Sequence, residues 1–210
     1  MQSHPGDVLL VVDVQVDFLP GGPLAVPDGD AVIAPVNRIG AAFGHVVLTQ
    51  DWHPPGHVSF AASHPGRAAF DETELSYGRQ VLWPTHCVQD TPGAALAAAL
   101  DLPRAELVIR KGCRAGVDSY SAFTEADRRT PTGLAGYLRE RGARRVFLAG
   151  LATDFCVGWS AMDARAAGFE AYVIEDACRA INAAGSLDRA WTAMEQAGVK
   201  RIGMAALPGL

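Results

Sequence analysis

Short apolar runs recur along the chain, and six of them have the length and the β-branched content of strands. Most are apolar at every position instead of every second one, which is typical of parallel strands with both faces covered. Helical segments lie between them, and several stop at a glycine that can adopt the left-handed conformation of a C-terminal cap. Strands and helices therefore alternate along the chain.

The predicted strands are Val8–Val14, His45–Gln50, Leu107–Arg110, Arg145–Ala149, Ala171–Glu175 and Val199–Met204. The predicted helices are Ala31–Phe43, Gly93–Leu100, Thr132–Arg141, Val157–Ala167 and Ser186–Ala197. This alternation predicts a three-layer α/β/α fold, with helices on both faces of a six-stranded, mostly parallel sheet. We expect the strand order 3-2-1-4-5-6, in which the first and fourth strands are neighbours where the order reverses.

The segment 52–106 interrupts the alternation. Most of it is rich in Pro, Gly, His and Trp, and a connection of about fifty residues exceeds the usual loop length. We therefore expect an insertion that binds metal and substrate. A chain of 210 residues is long enough for one substantial core and short for two, so we predict a single domain over residues 1–210.

Composition narrows the classes of function. The formal net charge is −5 and the Lys and Arg residues are scattered, so we expect no nucleic-acid partner. No apolar run approaches the roughly 18 residues that span a bilayer, and Val8–Val12 lacks the flanks of a signal peptide, so we expect no membrane association. The cysteines have no CxxC spacing, which favours reduced thiols in the cytoplasm. The oligomeric state is not determined by these features, and a homo-oligomer stays open.

Four chemically active side chains follow predicted strands. Asp13 closes the first strand, and Asp51, Lys111 and Cys156 follow the second, third and fourth. Because ligands of open parallel sheets bind outside the carboxyl ends of the strands, we expect these side chains to share one crevice. A carboxylate can accept the thiol proton while an ammonium group stabilises the thiolate. Asp13, Lys111 and Cys156 are therefore a candidate catalytic triad.

Cys156 lies at the start of a helical segment, where unpaired backbone N–H groups and the peptide dipole favour a thiolate and a nearby oxyanion. Taken singly, each member of the triad has a plainer explanation: a packed cysteine, a capping carboxylate or a solvated lysine. The coincidence of all three at strand ends favours catalysis.

A second cluster combines a carboxylate with histidines. Asp51, His53 and His57 lie in one segment with a Pro-Pro-Gly turn, and His86 lies further along the chain. Three imidazoles and a carboxylate suit zinc, iron or manganese, so we predict one divalent transition metal there. The remaining histidines are expected to be structural or solvated: His4, His45 and His64.

Two aromatic residues, Phe18 and Trp83, fall in loops near the same strand ends. A planar ring could bind between them, and ordinary core packing is the alternative explanation.

Several motifs follow one another along nearly the whole chain. They are Val11-Val12-Asp13-Val14-Gln15 with Asp17-Phe18 and Gly21-Gly22, Thr49-Gln50-Asp51-Trp52-His53, Trp83-Pro84-Thr85-His86-Cys87-Val88, Lys111-Gly112 with Asp118-Ser119-Tyr120-Ser121-Ala122-Phe123, and Gly150-Leu151-Ala152-Thr153-Asp154-Phe155-Cys156-Val157. With these motifs the chain resembles the nicotinamidase/pyrazinamidase group of the isochorismatase-like hydrolases.

The resemblance implies hydrolysis of a small aromatic carboxamide through a Cys thioester: nicotinamide to nicotinate and ammonia for NAD salvage, and also pyrazinamide. It implies the triad named above and a divalent metal on Asp51, His53, His57 and His86. It also implies that the N–H groups of Ala152 and Cys156 form an oxyanion hole beside a cis Leu151-Ala152 bond. Phe18 and Trp83 are the ring-stacking pair that it implies, and the substrate-binding residues that we expect are Phe18, Trp83, Leu151 and Tyr120.

Two other functions stay open. One is a related metal-independent amidase that keeps the triad and acts on a carbamoyl or ureido compound. The other is a non-catalytic metal-binding module on the same fold. Phe155 occupies a place where some relatives carry a polar ring, and Cys113 and Arg114 fall in a variable loop, so substrate preference is the property that these residues could change.

Overall fold

The computed structural model describes Gln2 and residues 4–207. Its strands are β1 (Asp7–Val12), β2 (His45–Asp51), β3 (Glu72–Leu75), β4 (Gly78–Val81), β5 (Ala105–Lys111), β6 (Arg145–Leu151), β7 (Glu170–Arg179) and β8 (Lys200–Ile202). Six of them form one sheet in the order β5-β2-β1-β6-β7-β8, and every neighbouring pair is parallel. The predicted order 3-2-1-4-5-6 of the six sequence-predicted strands is confirmed.

Helices cover both faces of this sheet, so the three-layer α/β/α prediction is confirmed. The α-helices are α1 (Ile33–Gly40), α2 (Leu134–Glu140), α3 (Gly158–Ala166) and α4 (Ser186–Gln196). One apolar cluster contains side chains of α1, and the other contains side chains of α2, α3 and α4. Successive residues of β1 alternate between the two clusters, as the pleat of a strand requires.

Strand β1 is the centre of the fold. All six of its residues are buried, and it pairs with β2 on one side and with β6 on the other. Burying one such Val or Leu side chain contributes roughly 1.5–3 kcal/mol relative to leaving it in water. This strand therefore anchors the residue that follows it, Asp13, more firmly than an edge strand could.

The predicted helix Gly93–Leu100 is wrong. A single 3₁₀ turn, Pro92–Ala94, is followed by chain that runs against the segment after β1. The Ala97 N–H donates to the Val14 carbonyl at 2.9 Å, and the Ala95 carbonyl accepts from the Val16 N–H at 3.0 Å. These tertiary hydrogen bonds use the backbone groups that a helix would need, and so they override the helix propensity of the alanines.

Other differences concern element boundaries. The antiparallel hairpin of β3 and β4 inside segment 52–106 was not predicted, because each strand has four residues and only one of them, Leu75 or Val81, is a large apolar residue. Helix α1 is shorter than predicted because its first turn is a 3₁₀ helix, Gly29–Val32. Strand β7 extends four residues beyond the predicted end, to Arg179.

Within Gln2 and residues 4–207, no helix has both the length and the apolar character that crossing a membrane requires. The cysteines Cys87, Cys113, Cys156 and Cys178 are all free thiols.

The substitution Gly150→Ala tests how closely strands β1 and β6 approach each other. Its φ is +116°, and a Cβ atom there would lie 2.2 Å from the Val12 carbonyl oxygen. Gly150→Ala is expected to lower the free energy of unfolding by about 2–5 kcal/mol, from backbone strain and overpacking together. The measurement is the urea unfolding midpoint.

Gly142→Ala is the matched control. Gly142 also has a positive φ, +69°, but apart from its chain neighbours no atom of the described residues lies within 4 Å of its hypothetical Cβ. Only the conformational cost of about 1–2 kcal/mol is expected there. Equal decreases in the free energy of unfolding of the two variants would contradict the close approach of β1 and β6.

Candidate active site

The four predicted strand-end side chains converge at one edge of the sheet. Asp13 directly follows β1, Asp51 and Lys111 are the last residues of β2 and β5, and Cys156 lies shortly after β6. Because β1 is paired with both β2 and β6, its end lies between the other two. The parallel sheet alone therefore brings these residues together.

Lys111 is at the centre of this group. Its Nζ lies 2.9 Å from Asp13 Oδ2 and donates to Cys156 Sγ at 3.3 Å. It also donates to Asp51 Oδ1 and to the Ser119 carbonyl, the latter at 3.1 Å. The side chains of Lys111 and Asp13 are fully shielded from water. The structure thus brings the three proposed triad residues into direct contact.

Burial and the Lys111 charge set the protonation of this group. Burial raises the pKa of Cys156 well above its ordinary value, while Lys111 opposes that shift. Burial also raises the pKa of Asp13, again against Lys111. Although burial opposes it, the two carboxylates hold the pKa of Lys111 well above its ordinary value. Lys111 therefore stays charged, and a proton is retained within the Asp13 and Cys156 pair.

Cys156 lies in a π-helical turn, Thr153–Val157, that leads directly into α3. The Val157 N–H donates to the Ala152 carbonyl at 3.1 Å, the i to i+5 pattern of such a turn. This places the sulfur in the first turn of a helical segment, as the sequence predicts. The Leu151-Ala152 peptide bond is cis, as the resemblance implies.

Asp51, His53 and His86 form a buried group whose possible ligand atoms all lie within 4.8 Å of one another. The Nε2 atoms of His53 and His86 lie 3.5 and 3.7 Å from Asp51 Oδ2. Each imidazole places Nδ1 beside a backbone carbonyl: Gly112 at 3.0 Å for His53, and Pro84 at 2.7 Å for His86.

Those carbonyls require Nδ1 to carry the proton in each neutral ring, so both Nε2 atoms present a lone pair toward a carboxylate oxygen. Three electron-pair donors then face one another without a proton between them. A cation satisfies all three, and the same Nδ1 contacts orient many metal-binding histidines. The donor set therefore fits a divalent metal ion.

His57 is placed beside this group but outside it. Its ring stacks on His53 with 4.2 Å between the centroids. Nδ1 contacts Ser59 Oγ at 2.7 Å, and Nε2 contacts the Val117 carbonyl at 3.1 Å. His57 instead joins His53 and Asp118 in a second buried group of possible ligands. Its role as a fourth ligand of the first group stays a prediction.

A small cavity opens beside Cys156 and the histidines. Its lining includes three of the predicted substrate-binding side chains, Phe18, Trp83 and Tyr120. The fourth, Leu151, is 1% exposed and packs in an apolar cluster of the core without lining this cavity. Phe147, Ala149 and Leu151 of β6 all point into that cluster, and a role of Leu151 in substrate binding stays a prediction.

Several residues that support the site were not singled out from the sequence. The Gln15 side chain donates to the Asp51 carbonyl at 2.8 Å and accepts from the Asp51 N–H at 2.7 Å. Gln80 donates to Asp118 at 2.8 Å and to the Tyr120 hydroxyl at 3.1 Å.

Thr49 contacts Asp13 through its hydroxyl group. Gln15, Thr49 and Asp118 lie within the sequence motifs that carry the family resemblance, so their positions could have indicated a role in the site. Gln80 belongs to the unpredicted hairpin, so nothing in the chain pointed to it.

Comparison with known proteins places the chain in a family. The sequence profile described as Isochorismatase domain matches residues 7–206. The chain is 58% identical over 202 residues to the nicotinamidase of Acinetobacter baylyi, which covers 96% of this chain and 94% of that relative.

Two solved structures are similar as well. The first is a nicotinamidase and pyrazinamidase of Acinetobacter baumanii, with a TM-score of 0.95, 54% identity, and coverage of 96% of this chain and 98% of that one. The second is the pyrazinamidase of Pyrococcus horikoshii in complex with zinc, with a TM-score of 0.78, 37% identity, and coverage of 95% and 100%. The shared fold and the match over nearly its whole length show that this chain belongs to the isochorismatase-like hydrolase family.

Proposed function

We propose that this protein hydrolyses nicotinamide to nicotinate and ammonia, and also accepts pyrazinamide. The observation that carries the proposal is the contact of Lys111 Nζ with both Asp13 and Cys156 at a cavity lined by aromatic rings. The activity named for its relatives in Acinetobacter supports it. The product nicotinate would enter NAD salvage.

The first half of the reaction forms a thioester. Asp13 accepts the thiol proton while Cys156 Sγ attacks the carboxamide carbon, so a carbon–sulfur bond forms and the carbonyl oxygen becomes negative. Backbone N–H groups of Ala152 and Cys156 are proposed to hold that oxygen. Asp13 then returns the proton to the amide nitrogen, the carbon–nitrogen bond breaks, and ammonia leaves.

The second half regenerates the enzyme. Asp13 takes a proton from water, the hydroxide attacks the thioester carbon, and the carbon–sulfur bond breaks. The thiolate recovers its proton from Asp13, and the product leaves as nicotinic acid, which releases its proton to water and becomes nicotinate. Lys111 stays positive throughout and stabilises whichever of Asp13 and Cys156 is negative.

Asp51, His53 and His86 would hold one divalent ion, with zinc, iron and manganese as the proposed identities. His57 is the proposed fourth ligand, since its ring lies against His53. When bound, the ion would take the pyridine nitrogen and pre-position the ring for attack. Phe18 and Trp83 line the cavity on which that ring would pack.

The remaining properties are proposals as well. The free thiols support a cytoplasmic location. The buried donor set argues against the metal-independent amidase, which has no use for it. Protein that is purified without a transition ion, yet hydrolyses carbamoyl compounds, would favour that alternative. Failure to release ammonia from nicotinamide at any metal loading would favour the non-catalytic module.

Cys156→Ala tests the covalent route. Removing the nucleophile is expected to lower kcat for nicotinamide by about 10⁴-fold or more, because the triad acts as a unit. Equilibrium binding of nicotinamide is expected to stay close to wild type. Ammonia release and calorimetric binding measure the two effects, and residual turnover near wild type would exclude the thioester.

Cys178→Ala is the control for this variant. Cys178 is also a buried free thiol, but it lies in β7 and does not line the cavity. Its kcat is expected to match wild type. An aldehyde analogue of the substrate should add to wild type and Cys178→Ala but not to Cys156→Ala, as measured by mass spectrometry.

His53→Ala tests the ion site. Loss of one of three buried donors is expected to deplete bound metal and to raise KM for nicotinamide by about 10-fold or more, through poorer positioning of the ring. Elemental analysis and steady-state kinetics on one sample measure both. His64→Ala is the control, since among the described residues the one side-chain hydrogen bond of His64 is to the Val58 carbonyl. An unchanged KM in a metal-depleted His53→Ala protein would contradict the proposed role.

A further inference from the structure

The Thr49 side chain fills an unusual place in the sheet. Strand β1 ends at Val12, and Asp13 turns away with a φ of +48°. The Asp13 N–H therefore donates to the Thr49 hydroxyl oxygen, at 3.0 Å, instead of to a backbone carbonyl of β2. The same hydroxyl donates to Asp13 Oδ1 at 2.5 Å, and Thr49 is fully buried.

These two contacts fix the direction of the hydroxyl. A backbone N–H can only donate, so the Thr49 oxygen must accept from Asp13. A hydroxyl has one proton, and Thr49 donates that proton to Asp13 Oδ1. Oδ1 consequently stays an acceptor, and a proton on Oδ1 would face the Thr49 proton.

The other carboxylate oxygen has a different environment. Asp13 Oδ2 is buried and forms an ion pair with Lys111 Nζ at 2.9 Å. The same Nζ donates to Cys156 Sγ. Oδ2 is thus the carboxylate oxygen that faces the ammonium group and its thiol partner.

We propose that Thr49 is a positioning residue, whose hydroxyl occupies Asp13 Oδ1 so that Oδ2 is the oxygen that receives and returns the catalytic proton. This inference rests on the proposed function. It names which atom carries the proton in each half-reaction.

The proton balance follows directly. Oδ2 accepts the proton of Cys156 as the carbon–sulfur bond forms, and gives it to the amide nitrogen as the carbon–nitrogen bond breaks. In the second half Oδ2 accepts a proton from water and gives it to the sulfur as the carbon–sulfur bond breaks. Thr49 keeps its own proton throughout, so it touches no reacting atom.

Three substitutions separate the hydroxyl from the methyl group. Thr49→Val keeps the shape and loses the hydroxyl. Thr49→Ser keeps the hydroxyl and loses the methyl group, while Thr49→Ala loses both. We expect kcat for nicotinamide to fall about 10- to 100-fold in Thr49→Val and Thr49→Ala, because the carboxylate is free to turn. Thr49→Ser should keep a kcat near wild type.

The binding readout distinguishes positioning from a loss of structure. KM for nicotinamide and the Kd of nicotinate are expected to stay close to wild type in all three variants. Thr132→Val is the matched control, since the Thr132 hydroxyl also accepts from a backbone N–H, of Leu134, and donates to a carbonyl, of Ala122. That variant is expected to keep wild-type kcat.

Thr49→Val leaves the Asp13 N–H without an acceptor, so thermal unfolding is measured for every variant. If Thr49→Val does not fold, the comparison of kcat between Thr49→Ser and Thr49→Ala tests the inference, because these two variants differ only in the hydroxyl. Equal kcat in Thr49→Ser and Thr49→Ala, or wild-type kcat in folded Thr49→Val, would overturn the inference. Failure of the proposed function itself would appear in the wild type, as absence of ammonia from nicotinamide.

Discussion

The Lys111 ammonium group lies where Asp13, Asp51 and Cys156 converge, and its side chain is fully shielded from water. A charge in such a place is stable only if opposite charges and hydrogen-bond acceptors surround it, because desolvation alone costs several kcal/mol per ion. Two carboxylates, a sulfur and a backbone carbonyl meet that need. The remaining site geometry depends on this contact, since each partner is held at the end of a different strand or turn.

The same contact links the triad to the histidines. Asp51 offers Oδ1 to Lys111 and Oδ2 to the Nε2 atoms of His53 and His86. Although burial opposes it, the Lys111 ammonium group holds the pKa of Asp51 well below its ordinary value, so this carboxylate stays ionised. One side chain thereby serves both groups, and the positions of the thiol and of the ion site are not independent. A substrate ring held at the histidines would be held at a set distance from the sulfur.

Close approaches of backbone make this arrangement possible. Gly112 follows Lys111 with a φ of +63°, and a Cβ atom there would lie 2.4 Å from the His53 ring. His53 can therefore lie against the end of β5 only because that position is glycine. On the other side of the cavity, Asp17 accepts the Cys87 N–H at 2.7 Å and so holds the segment that carries His86. The insertion is thus fastened to the sheet at the points where it supplies the site.

The local pattern of the sequence determined the sheet, because continuous apolar runs specify buried parallel strands and their alternation with helices leaves few possible topologies. The strand order therefore followed from the sequence. So did the shared sheet edge of four side chains: Asp13, Asp51, Lys111 and Cys156. Tertiary structure decided the rest. Residues 93–100 form no α-helix, and His57 contacts the Val117 carbonyl. Thr49 and Gln80 support the site. The sequence did not predict these outcomes, because each depends on hydrogen bonds between segments far apart in the chain. A spacing pattern contains no information about which distant carbonyl or carboxylate a polar group will meet, since that partner is chosen only when the segments pack.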